Sequence, residues 1–243
     1  MIERRCGRDI LGESCYYSRR DMTILLAHPD QQVVSIPGWV TDLASFRRWA
    51  CSDEFPETGQ YSHLDGLLWV DGSMEKRAHN RLKTGFSTCL DGLANATKSG
   101  EYYGDGMLMT NLNAALSNQP DGMFISYETL RAGNLTFVKG FDALGAVGCP
   151  DMVLEVVSPT SRQKDTVILR DLYHRAEIAE YWLVDPMRWE DLVTFDILRW
   201  QPDGYASVAK QDGWIESKIF QRSFRLSRGV DPLGNPSYQL EIR

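Results

Sequence analysis

Apolar positions recur at three- and four-residue spacing through Ala78, Leu82, Phe86, Cys89, Leu90 and Leu93. This predicts one buried stripe on a helix running from a Ser73 cap to about Asn95, with Glu75 on the stripe in its first turn and His79 on its flank. A second helical period follows Pro159, where Ile168, Leu169, Leu172, Tyr173 and Ala176 share a face, and a short helix is expected from Thr41 to about Ala50. Strands are predicted at residues 107–112, 122–126, 135–138, 151–157 and 180–186, with a strand containing a turn at 61–72. Four further apolar runs, at 192–200, 204–210, 213–220 and 238–242, make the C-terminal part rich in β-structure. Residues up to about 40 show no clear period and are expected to be irregular.

The succession of strand, helix and strand between residues 151 and 186 suggests a parallel crossover, and hence an α/β (α+β) fold. With 243 residues and 43% hydrophobic content, the chain can close a substantial core. An N-terminal extension over residues 1–55 and one domain over 56–243 are expected. The apolar run at 22–27 is too short to span a bilayer, and the charged first ten residues do not resemble a secretory leader, so a cytoplasmic protein without membrane association is expected. Five scattered cysteines (Cys6, Cys15, Cys51, Cys89 and Cys149) suggest neither a disulfide framework nor a zinc site. The net charge of -7 argues against a protein that coats nucleic acid, though Lys76, Arg77, Arg81 and Lys83 gather locally around His79. Such a cluster is either a solvated helix face or a phosphate track.

Glu155 is the residue that asks for an explanation. It sits among Met152, Val153, Leu154, Val156 and Val157, a run that predicts a strand covered on both faces. An ionised carboxylate there is costly without a positive partner, either an internal Lys or Arg or a metal ion. Two Pro-Asp pairs, Pro120-Asp121 and Pro150-Asp151, each lead into an apolar strand, and the period of two places Asp151, Val153 and Glu155 on one face. If the two strands are neighbours, Asp121 and Glu155 can converge on one hard divalent ion.

Pro120-Asp121, the run PDMVLEVVSPTS, the following KD and LY, and EYWLVDP at 180–186 resemble the Uma-type putative restriction endonuclease family, a branch of the PD-(D/E)XK nuclease superfamily. The likeness covers roughly residues 60 to 240. It implies a restriction endonuclease-like core, a central mixed β-sheet flanked by helices, with extra C-terminal strands. It also implies Mg²⁺- or Mn²⁺-dependent hydrolysis of DNA phosphodiesters, with Asp121 and Glu155 as metal ligands. The superfamily places a lysine two residues past the second acid, here Val157, and the family moves it to the helix position that is Leu169 in this chain. Lys164, in the opening turn of the predicted helix, is the expected catalytic cation, in preference to Arg170. Glu75, His79 and Asp151 are further candidates for the site. Nuclease folds often cut both strands as dimers, so a homodimer is conceivable by analogy of fold. The alternative is a catalytically impaired module of the same fold that binds DNA or protein, as Leu169 would permit; a third is a structural role with Glu155 paired inside the fold.

Overall fold

The computed structural model describes residues 24–27, 33–73, 75–138, 143–189 and 192–243. They divide into two compact units, one ending at Gly59 and the other spanning Gln60–Arg243. In the first, strands β1 (Ile24–Ala27) and β2 (Val33–Ile36) form an antiparallel hairpin, so the segment expected to be irregular contains regular structure. The hairpin escaped the sequence reading because two four-residue strands give too few periods to be recognised. Helix α1 (Leu43–Ala50) is closed by a capping box between Asp42 and Ser45, and Phe46, Trp49 and Phe55 pack edge to face beneath it. Cys6 and Cys15 lie outside the described residues, and Cys51, Cys89 and Cys149 are free thiols. Among the described residues no helix is long and apolar enough to cross a membrane.

The second unit is built around a six-stranded mixed sheet. Its strands are β5 (Gly100–Tyr103), β8 (Gly122–Ser126), β11 (Met152–Val156), β12 (Glu180–Trp189), β13 (Leu192–Arg199) and β14 (Ala206–Ser207), neighbours in that order. β11 and β12 run parallel and the other pairs are antiparallel, which is the crossover expected from the alternation of elements. A second six-stranded sheet is ordered β4-β3-β7-β6-β10-β9: β3 (Gln60–Leu64), β4 (Leu67–Asp71), β6 (Leu108–Asn111), β7 (Leu116–Asn118), β9 (Leu135–Phe137) and β10 (Gly145–Gly148). The four C-terminal strands, β15 (Lys210–Gln211), β16 (Trp214–Ser217), β17 (Arg222–Val230) and β18 (Pro236–Ile242), form an antiparallel sheet of their own.

The alternation along β11 divides the core in two. Met152, Leu154 and Val156 join Leu82, Phe86 and Leu90 of helix α2 (Arg77–Thr97) and Phe224 of β17 on one side. Val153 faces Leu169, Leu172 and Tyr173 of helix α4 (Leu169–Arg175), with Leu64, Met109 and Leu116 of the second sheet behind them. The central sheet is thus covered on both faces, and all of β11 is buried. Trp182 anchors the first core, its ring meeting Phe86, Phe195, Phe220 and Phe224 at centroid distances of 6.4, 5.4, 5.6 and 4.8 Å.

Two helix starts, those of α2 and of the α4 region, differ from the sequence reading. α2 begins at Arg77, after a Lys76 cap that makes no side-chain hydrogen bond, so Glu75 precedes the helix instead of lying in its first turn. Ser73 instead donates its backbone N–H to Asp71 Oδ1 at 2.9 Å. Pro159 lies in a turn over 159–161, and the helix expected after it opens with Arg162 and Gln163 and runs through a π-helical stretch at Lys164–Ile168 before α4. The widened turn is a local insertion of the kind that often re-aims side chains at functional positions. Helix α3 (Tyr127–Ala132) is short and capped by Ser126.

α2 ends where Lys98 adopts a left-handed conformation, and β5 starts two residues later at Gly100. A Cβ on Gly100 would lie 2.2 Å from the Ile125 carbonyl oxygen and 2.7 Å from Ser126 Cα, both backbone atoms of β8 that cannot turn away. Gly100→Ala is therefore expected to destabilise the chain by about 1–3 kcal/mol, the usual range for overpacking. Urea unfolding checks this: the midpoint should fall while the slope stays unchanged.

Candidate functional site

β8 and β11 are antiparallel neighbours with Met152 opposite Phe124, Val153 opposite Met123 and Leu154 opposite Gly122. One step further along this register sets Glu155 across from Asp121, as expected if the two Pro-Asp strands lay side by side. The ladder stops at this point. The backbone groups of Val156 that would continue it are met by side chains: Asp121 Oδ2 accepts from the Val156 N–H at 2.7 Å, and His79 Nε2 donates to the Val156 carbonyl at 2.6 Å. The carbonyl acceptor fixes a proton on Nε2. The other ring nitrogen, Nδ1, is buried, makes no hydrogen bond and lies 3.8 Å from Glu75 Oε1.

One ligand atom from each of Glu75, His79 and Asp121 lies within 4.8 Å of the others, an arrangement suited to a cation. Lys83, one turn beyond His79 on α2, reaches the same place. Its Nζ contacts Glu75 Oε1, Asp105 Oδ2 at 2.7 Å and Asp121 Oδ1 at 3.4 Å. Burial alone would raise the Asp121 carboxyl, but His79, Lys83 and the Val156 N–H outweigh it and hold it below the usual carboxylate range. Burial would lower the His79 imidazole, yet the hydrogen bond and charge of Asp121, with Glu75, keep it above its ordinary value.

Glu155 is 2% exposed and stands outside the three-residue group. Its Oε1 accepts from the Tyr173 hydroxyl at 2.5 Å and from Asn118 Nδ2 at 3.1 Å, and Asn118 Oδ1 accepts from Ser62 at 2.6 Å. Burial pushes the Glu155 carboxyl well up; the Lys164 charge pulls against this, while Asp165 and Asp121 add to it. Lys164 is 3% exposed, with Nζ 3.6 Å from Asp165 Oδ1. Burial would lower its ammonium, but Glu155, Asp165, Asp121 and Asp71 together keep it protonated. Asp165, hydrogen-bonded by Ser161, is pushed up to about 6, chiefly by burial.

The structure thus gathers Asp121, Glu75 and His79 around one point and links Glu155 and Lys164 to it electrostatically. It does not gather Asp151 or Arg170. The Asp151 carboxylate braces the start of α3, accepting from the Ser126 N–H at 2.6 Å and from Thr129 Oγ1 at 2.9 Å. Period-two alternation puts it on the face of Glu155 but about 13 Å away, four strand residues at roughly 3.3 Å each. Arg170 donates to the Tyr205 carbonyl at 3.1 Å. Leu169, at the position where the resemblance expects a lysine, is fully buried in the core beside Tyr173. Sequence reasoning missed Lys83, Asp105 and Asp165. Lys83 read as part of a basic cluster, either a solvated helix face or a phosphate track, and Asp105, between Gly104 and Gly106, drew no notice. The signal for Asp165 was its place directly beside Lys164 at the start of the α4 region.

Comparison with solved structures finds a putative nuclease belonging to DUF820 from Anabaena variabilis. Its TM-score is 0.56 at 15% identity, covering 74% of this chain and 90% of that one, a likeness that concerns the fold. No match was found among curated proteins. The family model Uma2, described as "Putative restriction endonuclease", matches residues 43–228, which include the β8–β11 pair, α2 and the Lys164 turn. The chain belongs to the Uma2 family of putative restriction endonucleases and has a nuclease fold.

Proposed function

We propose that the chain hydrolyses DNA phosphodiester bonds with the help of a divalent metal ion. The observation that carries this is the group of Glu75, His79 and Asp121 with its orphaned His79 Nδ1, since a buried ring nitrogen without a hydrogen-bond partner calls for a ligand. The donor set fits such an ion: two carboxylates suit Mg²⁺ or Mn²⁺, and an imidazole lone pair favours Mn²⁺ of the two. Glu75, His79 and Asp121 would hold it, with Glu155 the second acid from the neighbouring strand. When bound, the ion would polarise a phosphate oxygen and lower the pKa of a coordinated water.

The chain's own groups supply the rest. The Val156 peptide and His79 orient Asp121, and Tyr173 and Asn118 orient Glu155. Lys164 counters the charge of Glu155 and Asp165 from inside the fold, which favours their ionised forms beside the ligand group. Lys76, Arg77 and Arg81 are exposed around the start of α2 and would receive the phosphate backbone of DNA beside the site. A second reading, a DNA- or protein-binding module without cleavage, is favoured by Leu169 alone.

Replacing Asp121 by Ala is expected to abolish Mn²⁺ binding in calorimetric titration with the fold retained, and Glu155→Ala to weaken it strongly. Undiminished affinity in both variants would sink the site. The imidazole sets a pH dependence. Its folded pKa is raised, so the stability contributed by protonated His79 in the metal-free protein is complete below about 6.5 and is lost as pH rises through the folded value. Metal needs the neutral ring, so Mn²⁺ affinity is expected to weaken as pH falls through that same value, and His79→Gln should flatten both profiles. Lys164→Met should slow nicking of plasmid DNA by about 100-fold with little change in DNA affinity, because Glu155 then loses the charge that favours its ionised form. Part of that rate should return at higher pH as Glu155 ionises, and Arg170→Ala should have much less effect. Absence of metal-dependent nicking by the wild-type chain would give the binding module first place.

A further inference from the structure

Lys83 takes no part in the ligand set, yet its ammonium sits on two of that set's three members. Nζ contacts Glu75 Oε1 and Asp121 Oδ1, and a third carboxylate, Asp105, at 2.7 Å. An ammonium hydrogen and a divalent ion cannot use the same oxygen lone pairs at close range, because ligand distances near 2.0–2.2 Å leave no room and the two cations repel. A metal that enters the group must therefore dislodge Lys83 from Glu75 and Asp121. Asp105 is the partner that would keep it.

Asp105 is fixed by backbone contacts and not by the ligand side chains. It holds a left-handed backbone at φ 55, one carboxylate oxygen accepts from the Gly106 N–H at 3.0 Å, and its own N–H donates to the Asp121 carbonyl at 3.2 Å. It is also on the open side. The side chains of Glu75 and Asp105 are 35% and 49% exposed, whereas the carboxylate beside Lys164 is 1% exposed. Two of the carboxylates in contact with Lys83 are thus ones that solvent, and therefore a phosphate, reaches, whereas among the described residues the carboxylate within ion-pair distance of Lys164 is buried.

We propose that Lys83 is the substrate-side cation of the site: the metal ion displaces its ammonium from Glu75 and Asp121, Asp105 retains it at the rim, and there it contacts an unbridged oxygen of the scissile phosphate. This rests on the nuclease reading given above. The lysine acts as a fixed positive charge, and no proton leaves it.

The test joins Mn²⁺ titration calorimetry to single-turnover nicking, for wild type, Lys83→Met, Lys83→Arg and Asp105→Asn, each checked by thermal unfolding. Lys83→Met is expected to bind Mn²⁺ at least ten-fold tighter than wild type, and at saturating Mn²⁺ to nick about 100-fold more slowly. DNA affinity measured in Ca²⁺ should stay within a few-fold. Lys83→Arg should recover much of the lost rate, and Asp105→Asn should lose rate without gaining Mn²⁺ affinity, a pattern that general loss of packing would not produce. Mn²⁺ binding by Lys83→Met no tighter than wild type, or nicking at the wild-type rate, overturns the proposal. A wild-type chain that cuts no DNA defeats the nuclease reading and the substrate role of Lys83 with it, while the Mn²⁺ affinities still show whether the ammonium holds the ion's place.

Discussion

The two backbone groups of Val156 are the constraint on which the site depends. β8 stops pairing with β11 at Gly122, so the next N–H and C=O facing that side would be left without partners in a fully buried strand. Unpaired backbone groups in such a place cost free energy comparable to a lost hydrogen bond. Asp121 and His79 take the place of the missing strand, one accepting and the other donating. Where the ladder ends the site begins, and the same two hydrogen bonds that complete the sheet fix the positions of a carboxylate and an imidazole.

Each side chain that meets Val156 comes from a different part of the chain, so the constraint propagates. His79 ties α2 to the end of the central sheet, and Lys83, one turn on, is brought against Asp121 and the β5–β6 turn that carries Asp105. On the other face, Glu155 is held by Tyr173 of α4 and by Asn118 of β7, which in turn is bonded to Ser62 of β3. Chains of buried hydrogen bonds of this kind specify one arrangement, because each member left unsatisfied is expensive. The central sheet, α2, α4 and the second sheet are thereby fixed in register around one point.

The parts of this arrangement legible in the sequence are those carried by local periodicity. β11 was visible as a strand covered on both faces, and Glu155 stood out because it broke the apolar run. Two similar Pro-Asp leads raised the question whether β8 and β11 are neighbours, and the register answers it. Helical spacing brought Glu75 and His79 to notice even though α2 starts at Arg77, because residues flanking a helix start still project near its first turn. What local pattern does not carry is long-range convergence. Lys83 is buried only because carboxylates 8 and 22 residues away meet it, together with Asp121. Its neighbours in sequence, Lys76, Arg77 and Arg81, are exposed as a basic run normally is. Asp151 shows the converse: its alternation with Glu155 is real, but position along the strand, not the face, decides which group it meets.

An internal ion pair for Glu155 was the plainest of the readings open at the outset, and Lys164 does supply a positive charge beside it. The pair does not close the account of charge. Lys164 is shared among Glu155, Asp165, Asp121 and Asp71, and Lys83 among Glu75, Asp105 and Asp121. Six carboxylates therefore face two ammonium groups and one imidazole. A purely structural cluster gains nothing from such an excess: burial raises the Glu155 and Asp165 carboxyls, and neighbouring carboxylates add to the shift. A surplus of carboxylates on a partly open face, beside a ring nitrogen without a hydrogen bond, is an arrangement that a bound cation would relieve, in keeping with the function proposed above.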